Sequence, residues 1–123
     1  MKKIYTNQAP EPVGPYSQAI EVNGFLYCSG QIAINPENNQ FINGNIEEQT
    51  LQIMKNIEAV LKEAGYSFND VIKTTCFLDD MNNFATFNEI YAKYFTSCPA
   101  RSCVEAKLPK AAKVEVEVIA HKN

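Results

Sequence analysis

Arg101 sits in the stretch "PARSCVEA", residues 99–106, between a proline turn and a run of strand-forming residues. A guanidinium is a planar fork of donors matched to a carboxylate or phosphate. The residue therefore either grips a small anion at two points or rests at the surface with its stem packed. Glu115 lies downstream in "KVEVEVIA", residues 113–120, on a strand-like alternation. A carboxyl there either belongs to a solvated face or, in a cleft, orients a water and relays its proton. Tyr16 in "GPYSQA" is either a turn-flanking aromatic or a hydroxyl donor to a ligand. Ser29 in "CSGQ" either closes a strand or presents its hydroxyl beside the flexible Gly30. Cys103, two residues after Arg101, is a candidate nucleophile with no base in evidence, and packing or backbone contact is the better reading.

Other chemistries lack their residues. The single histidine, His121, is two residues from the end of the sequence, which leaves a Ser-His-Asp triad without its base. Cys28, Cys76, Cys98 and Cys103 form no C-x-x-C pair, so neither a zinc site nor a redox motif is expected. No G-x-G-x-x-G or G-K-S/T loop is present to cradle phosphates. The formal net charge is −3, with lysines and arginines scattered mostly as singletons, which argues against a nucleic-acid surface. No apolar run reaches the length needed to span a bilayer. The "MKKIYTNQAPEPVGP" start has positive charge without the apolar region of an export signal. A cytoplasmic protein with free thiols is the expectation.

The elements that must position these residues can be read from periodicity. The chain has 123 residues, 46% of them hydrophobic, which suits one domain with one core over residues 1–123. "AIEV", Asn23-Gly24 and "FLYC" read as a hairpin. "INPENNQFINGN" reads as a polar connection. Asn45 with Glu48 predicts a capping box, followed by a helix with Ile46, Thr50, Ile53, Met54, Ile57, Val60, Leu61 and Ala64 on one stripe and a stop at Gly65. "VIKTTCFL" reads as a buried strand, with Cys76 there and Cys28 earlier as small buried hydrophobes. "NNFATFNEIYAKYF" returns to helical spacing, with Phe84, Phe87, Tyr91, Tyr94 and Phe95 aligned. "SCVEA" and "KVEVEVIAH" read as two strands joined as a hairpin through "KLPKAA". The order β-β-α-β-α-β-β predicts an α+β sandwich with two helices on one sheet face. The other face alternates Glu115, Glu117 and Ile119, a half-apolar surface that suits self-association.

Five segments in this order, "GPYSQA" (14–19), "SGQI" (29–32), "NFATFNEIY" (83–91), "PARSCVEA" (99–106) and "LPKAAKVEVEVIA" (108–120), closely resemble the RidA (YjgF) family. The resemblance covers nearly the whole chain, from Tyr5 to Ala120. It implies a chorismate-mutase-like fold that assembles as a homotrimer, with three clefts between neighbouring subunits. It implies hydrolysis of reactive 2-imino acids, 2-iminopropanoate and 2-iminobutanoate, to 2-keto acids and ammonium, with no metal and no organic cofactor. Carried onto this sequence, Arg101 matches the arginine that holds the substrate carboxylate. Cys103 matches a ligand contact made mainly through the backbone, and Glu115 matches the carboxyl that handles the attacking water. Tyr16, Ser29 and Gly30 match cleft residues, and Phe84 and Asn88 match positions that line or support the cleft.

The chain is one residue shorter between Arg101 and Leu108 than the family's pattern. A one-residue slip reverses side-chain direction along a strand. If the turn does not absorb the deletion, the acid–base role passes from Glu115 to Glu117 or Glu105. Three rival readings use the same residues differently. A non-catalytic trimer sensing 2-keto acids needs Arg101 but not Glu115. RNA cleavage needs a basic groove that the acidic chain lacks. A purely structural trimer leaves Arg101 and Glu115 without a purpose.

Overall fold

Asn45 begins the long helix as its residue type predicts. Its side chain accepts the Glu48 N–H at 2.8 Å, and the Glu48 carboxyl accepts the Asn45 N–H at 3.0 Å. Gly65 ends the helix in the left-handed region, at φ 85, where a residue without Cβ carries no steric penalty. The computed structural model describes residues 1–123. In chain order the elements are β1 (Lys2–Ile4), β2 (Ala19–Val22), β3 (Phe25–Cys28), β4 (Ile34–Asn35), β5 (Gln40–Phe41), α1 (Ile46–Ala64), β6 (Val71–Leu78), α2 (Phe84–Tyr94), β7 (Ala100–Glu105) and β8 (Val114–His121). The fold is α+β, with two helices packed on a mixed sheet.

Six strands form that sheet in the order β1-β2-β3-β8-β6-β7. Every neighbouring pair is antiparallel except β6 and β7. Asn23 and Gly24 turn β2 into β3 with φ of 52 and 80, the two successive positive values that a tight hairpin needs. Val114, Val116 and Val118 of β8 are buried against the helices together with Ile53, Met54, Val60 and Leu61 of α1. Fully burying one such aliphatic side chain stabilises the fold by about 1.5–3 kcal/mol, so Ile53→Ala in α1 would cost about 2–5 kcal/mol once the cavity is counted. The opposite sheet face carries Glu115, Glu117 and Ile119, with Phe77 and Tyr27 on flanking strands. Neither helix packs on it, and Tyr27 keeps 47% of its surface exposed.

Three expectations need correction. β7 and β8 are not a hairpin: β6 lies between them, hydrogen-bonded to both. β7 runs parallel to β6 because α2 carries the chain back across the sheet, the connection a parallel pair requires. The shortened segment after β7 is therefore a loop crossing the end of β6. The placement of β8 is set by its ladder to β6, with Phe77 opposite Glu115, and by the alternating burial of its valines. The connection "INPENNQFINGN" also holds structure, the two-residue strands β4 and β5 paired as Ile34–Phe41 and Asn35–Gln40. The short strand β1, absent from the expected order, pairs with β2 at one sheet edge.

All four cysteines are free. Cys76 is buried, while Cys28 is half-buried. No helix is long and apolar enough to cross a membrane.

Candidate active site

The residues singled out by sequence gather into two clusters on opposite faces of the sheet. Arg101 on β7 pairs in register with Thr74 of β6, which is fully buried on the helix side. Phe84, Asn88 and Tyr91 follow one another at four- and three-residue spacing on α2, so they share the stripe facing Arg101. Arg101 Nη1 donates to Asn88 Oδ1 at 2.6 Å. The guanidinium carbon lies 4.8 Å from the Tyr91 ring centroid and 5.4 Å from that of Phe84. The Tyr91 hydroxyl is tied to Thr74 Oγ1 at 2.7 Å, which fixes the ring beneath the cation. One donor of the fork is thus committed to Asn88 and its plane is set by two rings. The remaining donors border an open cavity of about 520 Å³ shared with Asn88, Tyr91 and Cys98.

Cys103 lies on the same strand, in register with Cys76, and packs against the core. Burial pushes its thiol up, and the nearby Arg101 only opposes this. A thiol shifted this way and without a base favours packing over nucleophilic attack.

Glu115, Tyr16, Ser29 and Gly30 line a second cavity of about 530 Å³, which Glu117 and Lys110 also border. Its walls come from the open face of β8, the segment after β3, and a strap spanning residues 11–17. The buried Gln18 amide roots the strap: its Oε1 accepts the Thr6 N–H at 2.7 Å, and its Nε2 donates to the carbonyls of Thr6 and Pro10, both at 3.0 Å. Ser29 Oγ donates to the Ser17 carbonyl at 2.6 Å, so this hydroxyl holds the strap as well as facing the cavity.

A bulge lets the segment after β3 reach Glu115. Tyr27 pairs with Ile119 and Gln31 bridges Val116, so four steps on one strand match three on the other. At the bulge, Gly30 packs directly on the Glu115 side chain. A Cβ there would overlap the carboxyl, standing 3.0 Å from Glu115 Cδ and 3.2 Å from Cγ. Burial pushes the Glu115 carboxyl above its ordinary range and Glu117 pushes it further, with no hydrogen bond or cation of the chain opposing them.

The sheet itself separates the two clusters. Arg101 is paired to Thr74 and Glu115 to Phe77, three residues apart on β6, so their side chains leave opposite faces. Within one chain they do not meet. Of the alternatives to Glu115, Glu105 is engaged elsewhere, accepting the Met81 N–H at 3.0 Å. Glu117 shares the Glu115 cavity. Tyr91, read from sequence as a core aromatic, is also the platform for Arg101; its position three residues after Asn88 is the one signal that pointed there. Lys110, with φ 57, lines the second cavity and went unnoticed because a lysine in a loop carries no distinguishing pattern.

Known proteins resemble the chain along nearly its full length. The RutC family protein PH0854 of Pyrococcus horikoshii is 53% identical over 98% of this chain and 97% of its own. The 2-iminobutanoate/2-iminopropanoate deaminase of Mus musculus is 47% identical over 97% of this chain and 90% of its own. The crystal structure of E. coli TdcF with bound serine superposes with a TM-score of 0.94 at 37% identity, covering 100% of each chain. The profile of the family described as Endoribonuclease L-PSP matches residues 6–122. By that match, and by relatives near half-identical from end to end, the chain belongs to the Endoribonuclease L-PSP, or YjgF/RidA, family.

Proposed function

We propose that the protein is a deaminase of small 2-imino acids, converting 2-iminopropanoate and 2-iminobutanoate to the 2-keto acids and ammonium. The observation that carries this reading is the Arg101 guanidinium, docked on two rings and tied to Asn88, with its free donors bordering a cavity. A fork held in this way suits a carboxylate gripped at two points. The mouse relative's activity supports the same reading.

The reaction asks little beyond positioning. Arg101 pins the carboxylate and so fixes the imine carbon relative to a water, with the backbone around Cys103 and Gly30 completing the cradle. Glu115 orients that water and moves its proton, a contribution on the order of 10²–10⁴-fold for a general acid–base group. Tyr16, Ser29 and Phe84 shape the walls. Because Arg101 and Glu115 leave opposite sheet faces, the working cleft is built from two copies, Arg101 from one and Glu115 from its neighbour. A homotrimer closes three such clefts. It also covers two surfaces the single chain leaves bare, the half-apolar sheet face and the exposed edge strand β7. Four free thiols suit a cytoplasmic setting.

The test generates 2-iminobutanoate with a threonine dehydratase in the presence of semicarbazide and follows the trapped product. Wild type suppresses trapping, while Arg101→Ala and Glu115→Gln do not, although both remain trimeric. A second reading, a non-catalytic trimer that binds small carboxylates, draws support from the serine bound to TdcF. Saturable binding of 2-ketobutyrate without any effect on trapping would select it.

A further inference from the structure

We propose that Glu117 is a positioning residue of this site, whose negative charge on the same strand face keeps the catalytic proton on Glu115. The inference rests on the deaminase reading and assigns a role to a residue that an alternating strand would otherwise consign to solvent.

Glu115 and Glu117 are two residues apart on β8, so their side chains leave the same face about 6.7 Å apart at the backbone. Both line the cavity that holds Tyr16, Ser29 and Gly30. The other groups turned toward Glu115 are few. Glu11 from the strap is engaged by the Tyr5 hydroxyl, and Tyr16 contributes a phenol ring. Lys110 from the turn before β8 borders the cavity without pairing to either carboxylate. On the flanking strands, Lys73 of β6 stands level with Ile119 rather than Glu115, and so does Tyr27 of β3. Phe77, directly opposite Glu115, is apolar. Two carboxyl groups sharing a half-buried wall disfavour each other's ionisation, which raises the titration of the one pressed against Gly30. Both are half-buried, and Glu115 is the one that lies directly against Gly30. Arg101 of the neighbouring copy would oppose this in an empty cleft, but the substrate carboxylate matches its charge.

A protonated Glu115 balances the chemistry. It gives its proton to the imine nitrogen while water adds to the imine carbon, and it takes a proton back from that water's oxygen, leaving a neutral carbinolamine. It then protonates the amino nitrogen as the C–N bond breaks and recovers the hydroxyl proton as the carbonyl forms. Ammonia leaves and takes its further proton from solvent. Each half-step begins with the acid form, so activity falls as pH rises through the Glu115 titration, and a neighbouring negative charge extends activity to higher pH.

The test compares wild type, Glu117→Gln and Glu117→Asp as intact assemblies of equal mass and circular dichroism. The Glu115 carboxyl is titrated by ¹³C NMR, assigned by its loss in Glu115→Gln, and kcat/KM for 2-iminobutanoate is measured against pH. The expected result is that Glu115 titrates at lower pH in Glu117→Gln, with the basic limb of kcat/KM moving the same way, and that Glu117→Asp restores both. An active wild type whose Glu115 titration is unmoved in Glu117→Gln overturns the role of Glu117 alone. A wild type without imine hydrolysis overturns the deaminase reading, and with it the catalytic use of that proton.

Discussion

Gly30→Ala separates catalysis from stability at a single atom. Its φ lies outside the left-handed region, so alanine costs the backbone nothing there. The whole effect comes from the new methyl, which falls on the Glu115 carboxyl, with Cδ at 3.0 Å and Cγ at 3.2 Å. The obstacle is the end of a flexible side chain, so the glutamate yields by leaving its rotamer or turning to another. That costs about 0.5–1.5 kcal/mol. For a chain of this size Tm falls by about 4 °C per kcal/mol. The carboxyl, however, moves by roughly the length of a bond, and a misplacement of about 1 Å in an acid–base group costs on the order of 10²-fold in rate. Gly30→Ala should therefore lose about 10²-fold in kcat/KM in the semicarbazide assay while unfolding within a few degrees of wild type. Gly65→Ala is the matching control. Its φ of 85 penalises alanine, yet it faces open space and lines neither cavity, so it should lose about 1 kcal/mol of stability and no activity. Activity within threefold of wild type in Gly30→Ala would refute the reasoning, since the Glu115 position would then not matter.

Arg101→Lys keeps the charge but loses the planar fork and its stacking on Tyr91 and Phe84. We expect kcat/KM to fall by on the order of 10²-fold in an assembly of unchanged mass, and near-normal kinetics would contradict two-point carboxylate binding. Thr74→Val leaves the Tyr91 hydroxyl without its partner in a buried site, which should cost about 1–3 kcal/mol in urea unfolding. Combining it with Tyr91→Phe should recover part of that loss, whereas strict additivity would show that the two side chains do not interact. Asn45→Ala removes the side-chain acceptor that caps the Glu48 N–H at the start of α1 and should cost about 0.5–2 kcal/mol with activity intact.

Where local chemistry decides the structure, the sequence was legible. The cap at Asn45, the stop at Gly65, the Asn23-Gly24 turn and the alternation of β8 each follow from neighbours within four residues. What failed depended on contacts distant in sequence. Consecutive strands suggested a hairpin of β7 and β8, but nothing local encodes β6 slotting between them after α2 returns the chain. The β4–β5 ribbon is too short to show any period. The candidate site was legible as residue types and not as geometry. Arg101 and Glu115 stood out by chemistry, while their departure from opposite faces emerges only from the β6 register, with Thr74 and Phe77 an odd number of residues apart. Tyr91 stayed hidden because a stripe of aromatics reads as core, and it is core on one side of its ring and a cation platform on the other.

A site assembled from two copies can be tested by mixing two dead variants. Arg101→Ala and Glu115→Gln, each inactive alone, are unfolded together in equal amounts and refolded. If each cleft takes Arg101 from one copy and Glu115 from the next, about a quarter of the clefts in randomly mixed trimers receive both intact residues, and about a quarter of wild-type imine hydrolysis returns. If both residues served one cleft from the same chain, no cleft in the mixture would be whole. Activity staying at the level of the separate variants, in mixed trimers verified by native mass spectrometry, would contradict the shared site.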